Sequence, residues 1–259
     1  MEEIHYLLGN SCNLDCDFCF WEMRLPDPPL EQKRRIIDQI ADSGIRLVTI
    51  SGGEPTRSAD LIPVLEYMRS KGLRTVLHTN GLSIDEKMAS DIVPFVSRVS
   101  LSLDGSTNSN VLMMRKSDDL FDHTVWLIKE FNELGVQVNV KTLVTKANKD
   151  DIMPIGKLLS DLPIAYWSLL EFNPTGRGEL NRERFVISQP EFESICRHAM
   201  DTYPDLDIRV RTYSECSNEY CFISADGKVY TYTKGFGDVF VGDLETENLA
   251  SLIARIEKK

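Results

Sequence analysis

Short apolar runs alternate with amphipathic stretches through the first two-thirds of the chain. Residues 4–8, 47–50, 74–78, 99–103, 136–144 and 164–170 are runs rich in branched and apolar side chains, and each reads as a buried strand. Between them, residues 30–41, 61–70, 121–134 and 151–159 space their apolar positions as helices do; Leu30, Ile36, Ile37 and Ile40 make one such face, and Pro154 fits the first turn of its helix. The pattern amounts to six β–α repeats, which imply a parallel sheet with helices against it. A closed barrel needs eight, so a partial (β/α)6 barrel is expected. The segment Asn173-Pro-Thr-Gly-Arg-Gly178 marks a boundary. Residues 1–178 are expected to form the core, and residues 179–259 a short α/β extension over the barrel mouth. That extension reads as a helix near 191–200, two short strands around an Asp226-Gly227 turn and a terminal helix near 248–257.

Composition narrows this picture. At 259 residues, with 42% hydrophobic and 27% charged side chains, the chain can bury a proper core. A net charge of −11 argues against duplex nucleic acid as a partner, because phosphate backbones select basic faces. No apolar run is long enough to span a bilayer. The start, Met-Glu-Glu-Ile-His, lacks the basic and apolar regions of a signal peptide, so a cytoplasmic protein is expected.

Six cysteines are present, and three are clustered as Cys12-Asn-Leu-Asp-Cys16-Asp-Phe-Cys19, directly after the first strand. In parallel α/β folds the carboxyl ends of strands carry the chemistry, and thiolates at such spacing suit iron–sulfur clusters or zinc. A structural zinc site closes with four protein ligands. Three ligands leave one iron of a [4Fe–4S] cluster open, unless a distant Cys or His completes a zinc site. Ser51-Gly52-Gly53-Glu54-Pro55 follows the second strand at the same rim. Its glycines let a backbone approach a ligand closely, and Glu54 offers a carboxylate to an ammonium group. Read alone, the same segment is a turn before a helix.

Together these motifs resemble the radical S-adenosylmethionine (SAM) superfamily, and the likeness runs from residue 4 to about residue 178. The resemblance implies that Cys12, Cys16 and Cys19 hold a [4Fe–4S] cluster whose open iron is chelated by SAM. It implies that Phe18 lies near the adenine and that Gly52, Gly53, Glu54 and Pro55 meet the methionine amino group. Thr79-Asn80-Gly81 and Ser100-Leu-Ser102-Leu-Asp104-Gly105 match the ends of the third and fourth strands, which places Asn80, Ser102 and Asp104 toward SAM. Asn110-Val-Leu-Met-Met-Arg115 resembles the segment whose Arg pairs with the SAM carboxylate, a task suited to a guanidinium fork. The segment from Val140-Lys141 to Asn148 resembles the fifth strand and its loop, with Lys141 facing the cofactor. The chemistry so implied is reductive cleavage of SAM to a 5′-deoxyadenosyl radical that abstracts hydrogen from a substrate, with an external one-electron donor such as flavodoxin or ferredoxin. Capping and surface pairing are the alternative roles for Ser102, Asp104, Arg115 and Lys141.

The tail, Cys216-x4-Cys221-Phe-Ile-Ser-Ala-Asp-Gly-Lys-Val-Tyr230-Thr-Tyr232, resembles the SPASM or twitch extension of peptide- and metabolite-modifying members. The cysteine expected after the hairpin is replaced by Thr231, Tyr232 and Thr233. Cys196, Cys216 and Cys221 are too few for the usual auxiliary cluster and read as buried small hydrophobes. Arg177, Tyr230 and Tyr232 are candidate substrate-pocket residues, and Tyr213 and Tyr220 crowd the same region. A peptide side chain or natural-product metabolite is the leading substrate class. The alternative is a nucleotide, as in the viperin branch, which Cys19-Phe20, the SGGEP segment and the Asn110–Arg115 segment resemble; it would need basic residues such as Lys141, Lys146, Arg177 and Arg182 at the barrel mouth. A non-enzymatic iron–sulfur or zinc protein is the reading from another class.

Overall fold

The computed structural model describes residues 1–20, 27–212, 221–233 and 237–258. Ten strands form one sheet: β1 (Glu3–Leu7), β2 (Leu47–Ser51), β3 (Arg74–Thr79), β4 (Arg98–Ser102), β5 (Gln137–Val144), β6 (Tyr166–Glu171), β7 (Ile208–Arg211), β8 (Cys221–Ile223), β9 (Lys228–Thr233) and β10 (Gly237–Asp243). The helices are α1 (Leu30–Asp42), α2 (Leu61–Ser70), α3 (Glu86–Ile92), α4 (Asn108–Arg115), α5 (Leu120–Glu133), α6 (Ile152–Ser160), α7 (Arg177–Leu180), α8 (Arg182–Phe185), α9 (Gln189–Thr202) and α10 (Leu249–Glu257).

The strand order is β10-β9-β8-β1-β2-β3-β4-β5-β6-β7, and the sheet stays open. Strands β1 to β7 run parallel, as right-handed β–α crossovers require. The six expected repeats are all present. The residues beyond 178 extend the sheet at both edges: β7 joins β6, and β8 pairs in parallel with β1 and then folds into the antiparallel β8–β9–β10 hairpins. Strand β7 was not foreseen. Its sequence, Ile-Arg-Val-Arg, alternates as an edge strand does but is too short to stand out. Helices α3 and α4 were likewise unforeseen as helices. Asp85 accepts from the Met88 N–H and Thr107 from the Asn110 N–H, so each begins on a side-chain cap.

Strand alternation gives the sheet two chemically distinct faces. On one, Ile4, Val48, Leu77, Leu101, Val140 and Leu169 pack against the helices in the main core. The other, inner face carries His5, Thr49, His78, Ser100, Lys141 and Ser168, a polar set for the centre of a sheet. A polar face this central has to be satisfied by its own neighbours, by water or by a ligand.

Candidate active site

The cysteine loop leaves β1 at Leu8 and is zipped to the loop leaving β2. Leu8 N–H donates to Ser51 O, Gly53 N–H to Gly9 O (3.0 Å) and Glu54 N–H to Ser11 O (2.8 Å). So close an approach needs both glycines. A Cβ on Gly52, whose φ is +138°, would fall 2.5 Å from Gly9 O, and one on Gly53 would fall 2.3 Å from Ser11 O.

Glu54 is buried at this junction and hydrogen-bonded throughout. Its Oε1 accepts from Thr56 N–H, Thr56 Oγ1 and Thr79 Oγ1, and its Oε2 from Asn80 N–H at 2.7 Å. Burial raises its pKa, and those four donors pull the other way. The side chain therefore locks the ends of β2 and β3 together, with Pro55 opening the turn that follows. Asn80 continues the chain of contacts: its Nδ2 donates to Asn13 Oδ1 at 2.8 Å and lies 3.9 Å from Cys12 Sγ. Three successive rims are thus one hydrogen-bonded unit.

Burial pushes the Cys12 thiol up, with Cys19 adding to it, and burial takes Cys16 up to about 11, with Cys19 and Cys12 adding to it. Leu14 N–H points at Cys12 Sγ from 3.4 Å. Among the described residues no three His, Cys, Asp or Glu side chains converge on a single ion. A pocket of about 560 Å³ lies against Cys12, lined by the loop from Asn10 to Asp15 with Lys116 and Arg177. Three thiols with an N–H aimed at one sulfur and a guanidinium field over two others fit an anionic thiolate-held cluster, which spreads its ligands wider than one ion does.

That guanidinium is Arg115. Its Nε and Nη2 both donate to Asp104 Oδ2, at 2.6 and 2.5 Å, and Asp104 is wholly buried, its Oδ1 accepting from Leu143 N–H. Burial opposes the Arg115 charge, but Asp104, Cys16 and Cys19 outweigh it and hold the group protonated. Arg115 also lies over the Phe18 ring, 5.2 Å from its centre, and Phe18 meets Phe185 edge-on. Asp104 and Arg115 therefore pair with each other. Ser102, half-buried, closes β4 opposite Lys141.

Lys141 reaches inward across β4. Its Nζ donates to His78 Nε2 at 2.8 Å, and the His78 ring lies 6.0 Å from that of His5. Burial, then Lys141, His5 and Arg98, push the His78 pKa well below its usual value. Burial likewise takes His5 down to about 4, with Lys141 and Arg211 adding to that and Glu3 opposing it. Both imidazoles are neutral at pH 7. Arg98 and Arg209 lie over the two sides of Tyr166, at 5.2 and 3.7 Å, and Ser100 donates to Asn139 Oδ1. The Nε of Arg98 and the Nδ2 of Asn139 are buried without a hydrogen-bond acceptor.

The remaining expected residues separate. Arg177 sits on the cysteine loop, where its N–H donates to Cys19 O and its side chain pairs with Asp15. Lys146 reaches Glu183 O and Arg182 pairs with Glu179, both at the surface. Tyr230 lies on the inner face of the hairpin, and Tyr232 is buried. Cys196 and Cys221 belong to the helix-side core, with thiols pushed up to about 12 chiefly by burial. Cys216, Tyr213 and Tyr220 fall outside the described residues. His5, His78, Arg98 and Arg211 were missed. The only signal for them was their alternation with apolar residues inside strands, which looks like any half-exposed face.

Comparison with known proteins gives these features a context. Over 246 residues the chain is 24% identical to an S-adenosylmethionine-dependent nucleotide dehydratase of Flammeovirga pacifica, covering 90% of this chain and 83% of that protein. It is 32% identical over 176 residues to an Fe-coproporphyrin III synthase of Methanosarcina barkeri, covering 66% of this chain and 44% of that one. In structure it resembles Streptococcus suis SuiB bound to its precursor peptide SuiA, with a TM-score of 0.80 at 18% identity over 97% of this chain and 64% of SuiB. The chain thus spans less than two-thirds of the latter two proteins. Within it, residues 6–159 match the radical SAM superfamily. That stretch contains the cysteine loop, the glycine-rich rim and the Asp104–Arg115 pair, and the chain belongs to the radical SAM superfamily, whose enzymes use a [4Fe–4S] cluster and SAM.

Proposed function

We propose that this enzyme abstracts hydrogen from a compact anionic metabolite held on the inner face of the sheet. One observation carries the reading. On that face of β1 to β7, Arg98, Lys141 and Arg211 and two neutral imidazoles surround a single acid, Glu3, among the described strand-centre residues. Arg209 adds a fourth cation, tied to Asp207. A chain of net charge −11 that gathers cations in its interior is built to attract an anion there. Lys141 supplies a point charge, held beside the neutral His78 ring, which accepts from it.

In this reading Cys12, Cys16 and Cys19 hold the cluster. Arg115, anchored by Asp104, faces the SAM carboxylate, and Phe18 packs near the adenine. Gly52, Gly53 and the backbone about Glu54 and Pro55 receive the methionine end, with Asn80 and Ser102 beside them. When bound, the cluster and SAM supply one-electron chemistry, the reductive cleavage that yields a hydrogen-abstracting 5′-deoxyadenosyl radical. The protein's own part is to fix the cofactor against the substrate and to keep the site dry. Residues 1–178 form the catalytic core, and residues 179–259 shape the substrate side of the mouth. A small redox protein supplies the electron.

The relatives' names point the same way, since nucleotides and coproporphyrins are anions. The expectation of a peptide side chain draws on the twitch-like tail, and the likeness to SuiB, at 18% identity, adds architecture alone. The test is anaerobic reconstitution with iron and sulfide, followed by dithionite, SAM and candidate substrates. Stimulation of 5′-deoxyadenosine formation by a phosphorylated or carboxylated metabolite is expected. Stimulation by uncharged or cationic peptides alone would sink the proposal.

A further inference from the structure

The inner face does not end at β1. Strand β8 pairs with β1 so that Phe222 stands beside His5, and the hairpin carries the same face outward through Tyr230 on β9 to Phe240 on β10. The rings follow that order. Phe222 and Tyr230 are stacked, 4.9 Å apart and within 9° of parallel, and Phe240 meets Tyr230 edge-on at 5.7 Å. In the other direction the row continues to His5, then His78, then the Lys141 ammonium. The row therefore runs from the exposed Phe240 to the cationic floor along one face of the sheet, with Phe222 buried between them. Its outer end is open: Phe240 is 55% exposed on the edge strand of the sheet.

Apolar side chains exposed on an edge strand invite misassembly. Here Phe240 meets Tyr230 edge-on with the rings inclined by 68°, a geometry that takes a third planar ring by stacking on one and meeting the other edge-on. Tyr230 lies two strands from His5, about 10 Å along the sheet. We propose that Tyr230 and Phe240 form a stacking platform for a heteroaromatic ring whose anionic group reaches the Lys141–His78 floor, so that the substrate is a nucleoside phosphate. The platform makes the hairpin the specificity element of the enzyme. The proposal rests on the anionic-substrate reading but adds a separate contact that can fail alone.

Three probes separate the two contacts on the reconstituted protein with SAM bound: GTP carries ring and charge, guanosine the ring alone, and inorganic tripolyphosphate the charge alone. Base–aromatic stacking tolerates any base, so GTP serves whatever the natural base is. Phe240→Ala is expected to weaken GTP and guanosine by about ten- to a hundredfold and to leave tripolyphosphate unchanged. Phe240→Trp is expected to restore both, which a folding defect would not. Lys141→Met is expected to weaken GTP and tripolyphosphate and to spare guanosine. If Phe240→Ala leaves GTP and guanosine within twofold, the platform is wrong even where Lys141 matters. If Lys141→Met leaves GTP and tripolyphosphate unchanged, the anionic floor is wrong, and the guanosine result judges the platform alone. Failure of the unaltered protein to bind GTP overturns the platform proposal.

Discussion

The rim and the floor of this half-barrel lie only a few residues apart along each strand, yet they are built by opposite rules. The rim is made of consecutive residues. Eight positions deliver three cysteines, five deliver the glycine-rich turn, and backbone hydrogen bonds between Gly9, Ser11, Gly53 and Glu54 join the two. The floor takes one or two residues from each strand, so His5, His78, Arg98, Lys141 and Arg211 meet across two hundred residues of chain. The polar groups around Glu54 at the rim are paired within the protein: Glu54 alone receives four donors. At the floor, buried donors on Arg98 and Asn139 still lack acceptors. On the proposed reading, the region that binds an invariant cofactor is finished in advance, whereas the region that selects a substrate keeps donors for it.

Experiments can press on this contrast, beginning with the largest effect. Cys16→Ser should abolish iron retention and 5′-deoxyadenosine formation, measured by iron content and product assay. It should leave the floor's anion binding intact; loss of tripolyphosphate binding as well would show that rim and floor are not separable. Next, Asp104→Asn leaves the Arg115 charge buried without its partner and should cost about 3–5 kcal/mol, read from urea unfolding of the cluster-free protein.

Gly53→Ala drives a methyl into Ser11 O and should break the zipped rim. We expect weaker SAM binding by at least tenfold with helical content unchanged, checked by equilibrium dialysis and circular dichroism. A floor effect follows from His5. Its pKa is about 4 in the fold against 6.5 in the unfolded chain. The unfolded state therefore takes up a proton that the native state refuses, so stability is full above pH 6.5 and declines as pH falls toward 4. The His5 share of the loss is of the order of 2–3 kcal/mol across that window, and His5→Gln should remove that share, leaving the one from His78, in urea midpoints taken at pH 7 and 4.5. The smallest effects should come from Lys146→Ala and Arg182→Ala. These side chains are paired at the surface away from the floor, so substrate KM should stay within twofold.

How much of this was legible in the sequence follows the same division. Six strands, their helices and the whole rim could be read because their signals are local: a period of two or 3.6, a cysteine spacing, a pair of glycines before Glu-Pro. Even so, local reading assigned Asp104 and Arg115 separate tasks, whereas the fold pairs them with each other. It also proposed Lys146 and Arg182 as mouth residues; in the structure Lys146 reaches Glu183 O and Arg182 pairs with Glu179. Arg98 and Arg211 gave no motif at all, because an inward arginine and an outward one look alike when strands are short. The tail read as an appendage, and only the register of β8 on β1 shows that its aromatic row continues the barrel's inner face.

By itself, then, the amino-acid sequence determined the class of enzyme, the open (β/α)6 core and the three clustered cysteines proposed to hold its cluster, since each rests on residues that are neighbours in the chain. The tertiary structure decided which cations share the interior and which aromatic rings lead to them. Those groups are brought together by strand pairing and sheet curvature, long-range contacts that no window of sequence contains.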